Sequence, residues 1–564
     1  MIDKNSAGAS KAVALGVALS ALAALASMAS AQQPDDTLET GEVGQAPADT
    51  SEASAVQETV AQPADTFEAS TTQEAIAPSD VWPETSATPE AIAQPAEPPA
   101  ARTTDAQAEQ QPHSWFSRPS LTVGVGEGAD RWTLTLFGFA EADFIYDSTR
   151  SYDDAIGGAL VARKDTYDGR SGRMQFSVRN SRLGFELKAP RFEGITASAV
   201  LVGDFFGNQQ GYPKPPATYS TAASEDAVSE NAFFNNPALR LRHGYLKLRT
   251  DYIDILAGQT YDVFGWQNYF FPCSVEFLGL PNQLFSRSTQ LQLAYELGAT
   301  SPVGLNIAAA ALRPAQRDSG IPDVNAGLRF NVNDWKGIST PGNVGTVALP
   351  LSIGVSGTFR KFKVNAFTPP PTQNANSVTG WGLSVDGLVP IIPADNADDR
   401  GNRLTLTGSF VTGTGIGDLI TAGGGATFPT LPNPAQANPP PLYHANIDEG
   451  LVSFDTSGVV HTIDWWAFRA GLQYYLPPSG RVFLSANYTQ AHSKNMAELF
   501  PKGGAEIELL VRVADLSQYA DVNLFWDATP AVRLGLSGQY TRVEYLDGEK
   551  PHNLRGMAQA LYVF

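Results

Sequence analysis

Ten arginines recur at the alternate, non-apolar positions of extended stretches: Arg173, Arg179, Arg240, Arg242, Arg329, Arg360, Arg469, Arg533 and Arg555, with Arg182 joining if the pairing slips by one residue near Asn180. Arg240 and Arg242 take this side if Leu239 and Leu241 take the other. A guanidinium stays charged at physiological pH and meets a carboxylate with two parallel hydrogen bonds, so a set of them on one surface favours anions. Acids of the same parity, Glu141, Asp143 and Asp521, offer a blander use, in which each arginine pairs with a neighbour. Covalent chemistry has weaker support. The histidines (His113, His243, His444, His461, His492 and His552) stand beside no nucleophile motif, and Gly-x-Ser-x-Gly is absent. No enzyme is expected. Neither metal-ligand spacing nor a nucleotide-binding loop occurs, so no cofactor, metal or nucleic-acid partner is expected.

The elements that must carry these arginines read as strands. In the last ten residues Gly556, Ala558, Ala560 and Tyr562 occupy one parity, and Arg555 and Gln559 the other. Period-two alternation gives a strand with two different faces, one suited to lipid and one to water. Such segments fall near 132–146, 172–188, 194–206, 239–249, 252–260, 285–296, 303–313 and 323–331. Others fall near 351–360, 379–389, 402–414, 465–476, 481–491, 517–528, 531–545 and 553–564. Connections after the odd-numbered segments run long and those after even ones short, as in a membrane barrel. The stretches 332–350 and 390–401 are longer than that rule expects. Trp132, Trp381, Trp466, Tyr474, Trp526, Tyr540, Tyr562 and Phe564 crowd segment ends, as aromatic girdles do. The fold class expected is all-β, a 16-stranded antiparallel transmembrane β-barrel preceded by a disordered N-terminal extension. A barrel of that size leaves an aqueous channel. A mean hydropathy of -0.16 does not argue against it, because alternation hides the apolar half.

The N-terminus is different material. Lys4 and Lys11, an apolar run from Ala12 and the Ala29-Ser30-Ala31 site mark residues 1–31 as a secretory signal peptide. Residues 32–120 are rich in Ala, Pro, Thr, Glu and Gln. Between 32 and 112 there are sixteen acids against the single Arg102, so most of the net charge of -20 belongs to this segment. Such a composition cannot bury a core and reads as a disordered linker on the periplasmic side. The barrel domain is expected over 121–564. The one cysteine, Cys273, allows no internal disulfide.

The connection from Tyr261 to Leu284 is unusually aromatic for a loop exposed to water. Folded into the lumen it would act as a constriction, with Asp262, Trp266, Asn268, Tyr269 and Glu276 as its polar tips and anchors. An inter-subunit contact or an overlooked strand are the other readings. Such a loop inside a sixteen-stranded barrel resembles the general trimeric porins of Gram-negative outer membranes. Four stretches are similar to the DcaP-like porins: Phe137–Asp143, Ser181–Glu186, Gly203–Gly207 and Leu256–Gly265. The resemblance implies a homotrimer in outer-membrane lipid, passing small anionic, dicarboxylate-like solutes through an Arg-lined eyelet. It also implies that Tyr562 and Phe564 form the signal read by the barrel assembly machinery. The family's N-terminal extension is commonly a coiled coil, and this chain has a Pro-rich acidic one instead. A structural anchor tethered to the cell wall, with a barrel that conducts little, is the rival expectation.

Overall fold

The computed structural model describes residues 121–127, 130–156, 160–207, 237–276, 279–365, 375–421, 447–448, 450–454, 459–499 and 513–564. The expected signal peptide and linker lie outside the described residues. No described helix is long and apolar enough to cross a membrane.

The chain forms a closed antiparallel barrel of 16 strands. They are β1 (Trp132–Asp147), β2 (Arg173–Ser177 continued by Arg182–Lys188), β3 (Thr196–Gly207), β4 (Ala238–Arg249) and β5 (Asp254–Tyr261). Next come β6 (Arg287–Leu297), β7 (Val303–Leu312), β8 (Asp323–Ser339), β9 (Val347–Asn365), β10 (Ala375–Ile392) and β11 (Arg403–Thr414). The last are β12 (Asp464–Tyr475), β13 (Val482–Ser493), β14 (Ala514–Asp527), β15 (Val532–Tyr545) and β16 (His552–Val563). Each strand pairs with its neighbours in sequence. β16 closes on β1 from Phe139↔Val563 to Asp147↔Arg555, which leaves no open edge there.

Alternation drives the closure. On β15, Leu534, Leu536 and Tyr540 are exposed while Arg533, Gln539 and Thr541 are buried. On β9, Ile353 and Val355 are exposed while Ser352, Ser356 and Arg360 are buried. A surface this apolar is stable only against lipid.

Three irregularities set the parity of the arginines. Between Asp143↔Ser177 and Phe139↔Arg182, three residues of β1 face the four residues Val178–Ser181 of β2. That bulge is the slip expected near Asn180, and it turns both Arg179 and Arg182 inward. On β4 the register shifts between Val202↔His243 and Gly203↔Leu241, so Arg242 and His243 are both buried. On β8 the shift lies between Val332 and Lys336, where it interrupts the alternation. The expected edges at 331 and 351 are corrected by this feature: both strands resume beyond the bulge, and the long connection shrinks to 340–346. β10 likewise runs through Pro390, which sits at a register shift where its missing N–H is tolerated. The connection after it, 393–402, remains longer than its even-numbered companions.

One short strand was not expected. Leu121–Val125 pairs with β1 from Leu121↔Leu136 to Val125↔Trp132. β16 ends just before this stretch, with Phe564 and Gly138 exchanging backbone hydrogen bonds of 2.9 and 3.1 Å. The short strand therefore takes over the ladder that the C-terminus leaves. A chain beginning at Ser120 should keep the stability of the full barrel. One beginning at Asp130 should lose on the order of 1–3 kcal/mol through unsatisfied backbone groups. Urea denaturation in detergent measures the difference.

Candidate functional site

The expected wide lumen is largely filled, because the connections fold inward. Residues 262–276 and 279–286 run along the inner wall. Gly265 N–H donates to Ser356 Oγ (2.7 Å), Ser274 Oγ donates to Asp521 Oδ2 (2.6 Å), and the Cys273 carbonyl accepts from Ser485 Oγ and Asn487 Nδ2 (2.8 Å each). The Val275 N–H reaches Asn523 Oδ1 (3.2 Å). From the other end of the barrel, 340–346 also turns in. Residues 148–172 cover the seam, placing Tyr152, Ile156, Leu160 and Val161 against Tyr519, Val543 and Tyr545.

Among the loop residues singled out from sequence, Asp262 accepts from Ser286 Oγ (2.6 Å) and Ser288 Oγ (3.2 Å). Burial pushes its carboxyl up to about 6, against the pull of those two hydroxyls. Trp266 is buried and donates through Nε1 to the Val355 carbonyl (3.4 Å). Tyr269 is half-buried, with Arg329 over its ring at 3.0 Å from the centroid, and Asn268 is half-buried beside it. Glu276 is buried and lies 3.4 Å from Arg555.

Burial raises the Glu276 carboxyl from 4.5 to about 7, with Arg555 opposing. A raised acid pKa means the folded form holds more protons, so this contribution to stability falls as pH rises between those two values. The loop anchor should therefore be looser at pH 8 than at pH 5. Larger current fluctuations at the higher pH, absent in Glu276→Gln, are the expected readout.

All ten arginines lie on the interior face, but most are matched to acids. Arg173 pairs with Asp153 (3.0 Å) and Arg179 with Asp154 (3.0 Å). Arg360 is held between Asp323 (2.9 Å) and Asp418 (2.5 Å). Arg533 meets Asp527 (2.6 Å), and Arg555 meets Asp147 (2.8 Å) as well as Glu276. Arg469 donates to Thr407 Oγ1 (3.3 Å), and Arg329 donates to Asn306 Oδ1 (2.8 Å) and stacks on Tyr269. The remaining three converge. Arg182 is the ladder partner of Asp204, and Asp204 of Arg240. Asp204 accepts from Arg240 and Arg242, each at 2.7 Å, and Arg242 also donates to Tyr261 Oη (3.3 Å). Tyr261 is the ladder partner of Arg287, which lies over Phe285 and within electrostatic reach of Arg240 and Arg242. Four guanidiniums thus surround Asp204, an excess of positive charge even with Glu141 near Arg182.

Arg287, Asp204 and Tyr261 were not singled out from sequence. Strict alternation assigns Arg287 to the side of Leu291, and only the end of the ladder at the first residue of β6 frees it from that parity.

Water reaches the interior unevenly. Inward side chains of β9 and β11–β16 are buried, among them Ser352, Thr405, Gln473, Ser485, Asn523 and Gln559. Those of β3–β7 are in part accessible: Arg240, Arg287 and Phe206 near one end, and Tyr245, Lys247, Arg249, Gln292, Glu296 and Asn306 toward the other. Between these groups Val202, Asp204, Arg242, His243, Thr260 and Gln290 are buried. The wall whose two ends are accessible is therefore the wall that carries the four-arginine cluster.

No family model and no curated protein sequence matches the chain. Among solved structures, the outer membrane channel DcaP of Acinetobacter baumannii superposes with a TM-score of 0.51 at 15% identity, over 78% of this chain and 100% of that one. An anion-selective porin from Comamonas acidovorans gives a TM-score of 0.42 at 9% identity, over 77% of this chain and 100% of that one. OmpT of Vibrio cholerae gives 0.40 at 13% identity, over 78% and 100% of the two chains. The shared property is architecture, and the chain has the fold of the DcaP channel.

Proposed function

We propose that the chain is an outer-membrane porin, with its N-terminal extension in the periplasm, through which small hydrophilic anions diffuse passively. The observation that carries the reading is the crowding of Arg182, Arg240, Arg242 and Arg287 around Asp204 on the one partly accessible wall. The loop 262–286 narrows the path along this same wall, with Phe271 and Phe285 packed on Tyr261 at 6.0 and 5.7 Å. An anion entering that gap exchanges water for fixed donors, and a cation meets a net positive field. Several guanidiniums at one level suit solutes with two carboxylates. Arg179, Arg360, Arg533 and Arg555 are tied to acids and fasten loops to the wall, whereas Arg329 is buried under Tyr269 and Arg469 is buried on the covered wall. The working unit is a homotrimer in outer-membrane lipid, assembled through the C-terminal signal Tyr562 and Phe564.

A panel of mono- and dicarboxylates tested as blockers of the chloride current checks the substrate class. Dicarboxylates should compete at lower concentration, and equal potency would contradict the reading. Removal of residues before Ser120 should leave conductance unchanged. A second reading, an anchor that conducts little, draws support from the covered inner faces of β11–β16. A planar bilayer separates the two, since an anchor gives no ion-permeable steps.

A further inference from the structure

The connection 340–346 lies on the side of the barrel opposite to the loop 262–286, since it follows an even-numbered strand and the loop an odd-numbered one. Most connections on that side are short turns, such as 250–253 and 528–531, and 393–402 is the longer exception. The connection 340–346 enters the lumen. Thr340, Asn343 and Thr346 are buried to within 2% of complete, and Val344 to 3%. Its contacts reach across the barrel. Thr340 N–H donates to Gln473 Oε1 (2.7 Å), and Thr340 Oγ1 shares a hydrogen bond with Tyr475 Oη (2.7 Å) on β12. Asn343 Nδ2 donates to Gln559 Oε1 (3.1 Å) on β16. Arg533 on β15 donates to the Asn343 carbonyl while Asp527 holds the other side of the same guanidinium. At its tip the segment meets the loop from the far end: Gly342 N–H donates to the Pro272 carbonyl (2.8 Å), and Ser274 N–H donates to the Gly342 carbonyl (2.9 Å). Val344 joins Phe137, Phe139, Phe271 and Leu561 in one apolar cluster.

We infer that Thr340–Thr346 is a second constriction element, entering from the periplasmic end and joined to the loop 262–286 at Gly342, and that Arg533 is its positioning residue. The inference rests on the channel reading above. The joined segments fill the lumen along β12–β16 and, through Phe271 and Val344, pack on Val200, Val202 and Tyr261, so that solute is confined to the space left beside the arginine-bearing wall. Selectivity then follows from confinement: a wider lumen would let ions pass beyond reach of the cluster, because screening in salt limits its field to about 8–10 Å. Gly342 has φ 71° and open space where a Cβ would stand, so its glycine serves the turn's backbone and not its packing.

The test uses the full chain in planar bilayers. In one variant residues 341–345 are replaced by Asn-Gly, which suits a two-residue hairpin between Thr340 and Thr346. A second, Arg533→Gln, keeps the segment and removes its clasp, with Arg400 still 3.1 Å from Asp527 to balance that charge. Heat-modifiable migration in gels reports barrel closure for both. The shortened barrel should conduct at least about twofold more and lose most of its anion preference, and Arg533→Gln should show the same change in part, with larger current fluctuations. Closed, conducting barrels with unaltered conductance and selectivity in both variants would overturn the inference and leave the channel reading standing. An unmodified protein that gives no ion-permeable steps contradicts the channel reading itself, and this inference with it.

Discussion

Replacing Arg240 and Arg287 together by glutamine is expected to bring the reversal potential in a potassium chloride gradient most of the way to zero. Both side chains are partly accessible, and neither is the innermost partner of Asp204. Arg242 stays to neutralise that carboxylate, so the barrel should remain closed. Each lost charge, at about 7 Å from a passing ion and an effective dielectric near 20, is worth roughly 2.4 kcal/mol before salt screening and about 1 kcal/mol after it. That corresponds to about a fivefold change in the anion-to-cation permeability ratio for each residue. The same exchange at Arg173, already balanced by Asp153, should change the ratio by less than about twofold. A double variant as anion-selective as the parent would show that the cluster is structural.

The largest stability effect is expected at Arg555. Its guanidinium meets both Asp147 oxygens at 2.8 and 2.9 Å across the closing seam, accepts Glu276 as a further partner, and donates to the Asp153 carbonyl at 2.6 Å. Strand closure, the loop 148–172 and the loop 262–286 therefore share one cation. Arg555→Met leaves Asp147 and Glu276 buried without it and should cost about 3–5 kcal/mol, seen as a lower urea midpoint in detergent. Adding Asp147→Asn should recover a large part of that loss, because the uncompensated charge and not the lost attraction dominates the cost. An Arg555→Met barrel as stable as the parent would contradict this assignment.

Much of this architecture is legible in the sequence because a membrane wall has only two sides. Every one of the sixteen expected segments corresponds to a strand, and the interior parity of Arg469, Arg533 and Arg555 follows directly from counting by twos. Even the slip at Asn180 can be read, since Phe176 and Val178 on one side of it change parity with Leu183 and Phe185 on the other. The counting fails where a bulge interrupts it. Asn333–Lys336 breaks the alternation of β8, and by pattern the stretch beyond it reads as loop, which hides the inward turn at 340–346. Periodicity also says nothing about partners across the lumen. That Arg360 is clasped by Asp418 and Arg555 by Glu276 depends on loops whose path no local pattern encodes. How far the channel is filled is hidden for the same reason: barrel diameter follows from strand number, but the filling comes from the connections.

In the function proposed, a closed two-faced wall encloses a path in which fixed positive charge selects the solute. Reversal potential of the purified, unmodified protein in a salt gradient tests it most directly. The predicted result is a zero-current potential displaced to the chloride side. Displacement to the potassium side, or a membrane that stays silent when the protein is added, would contradict it.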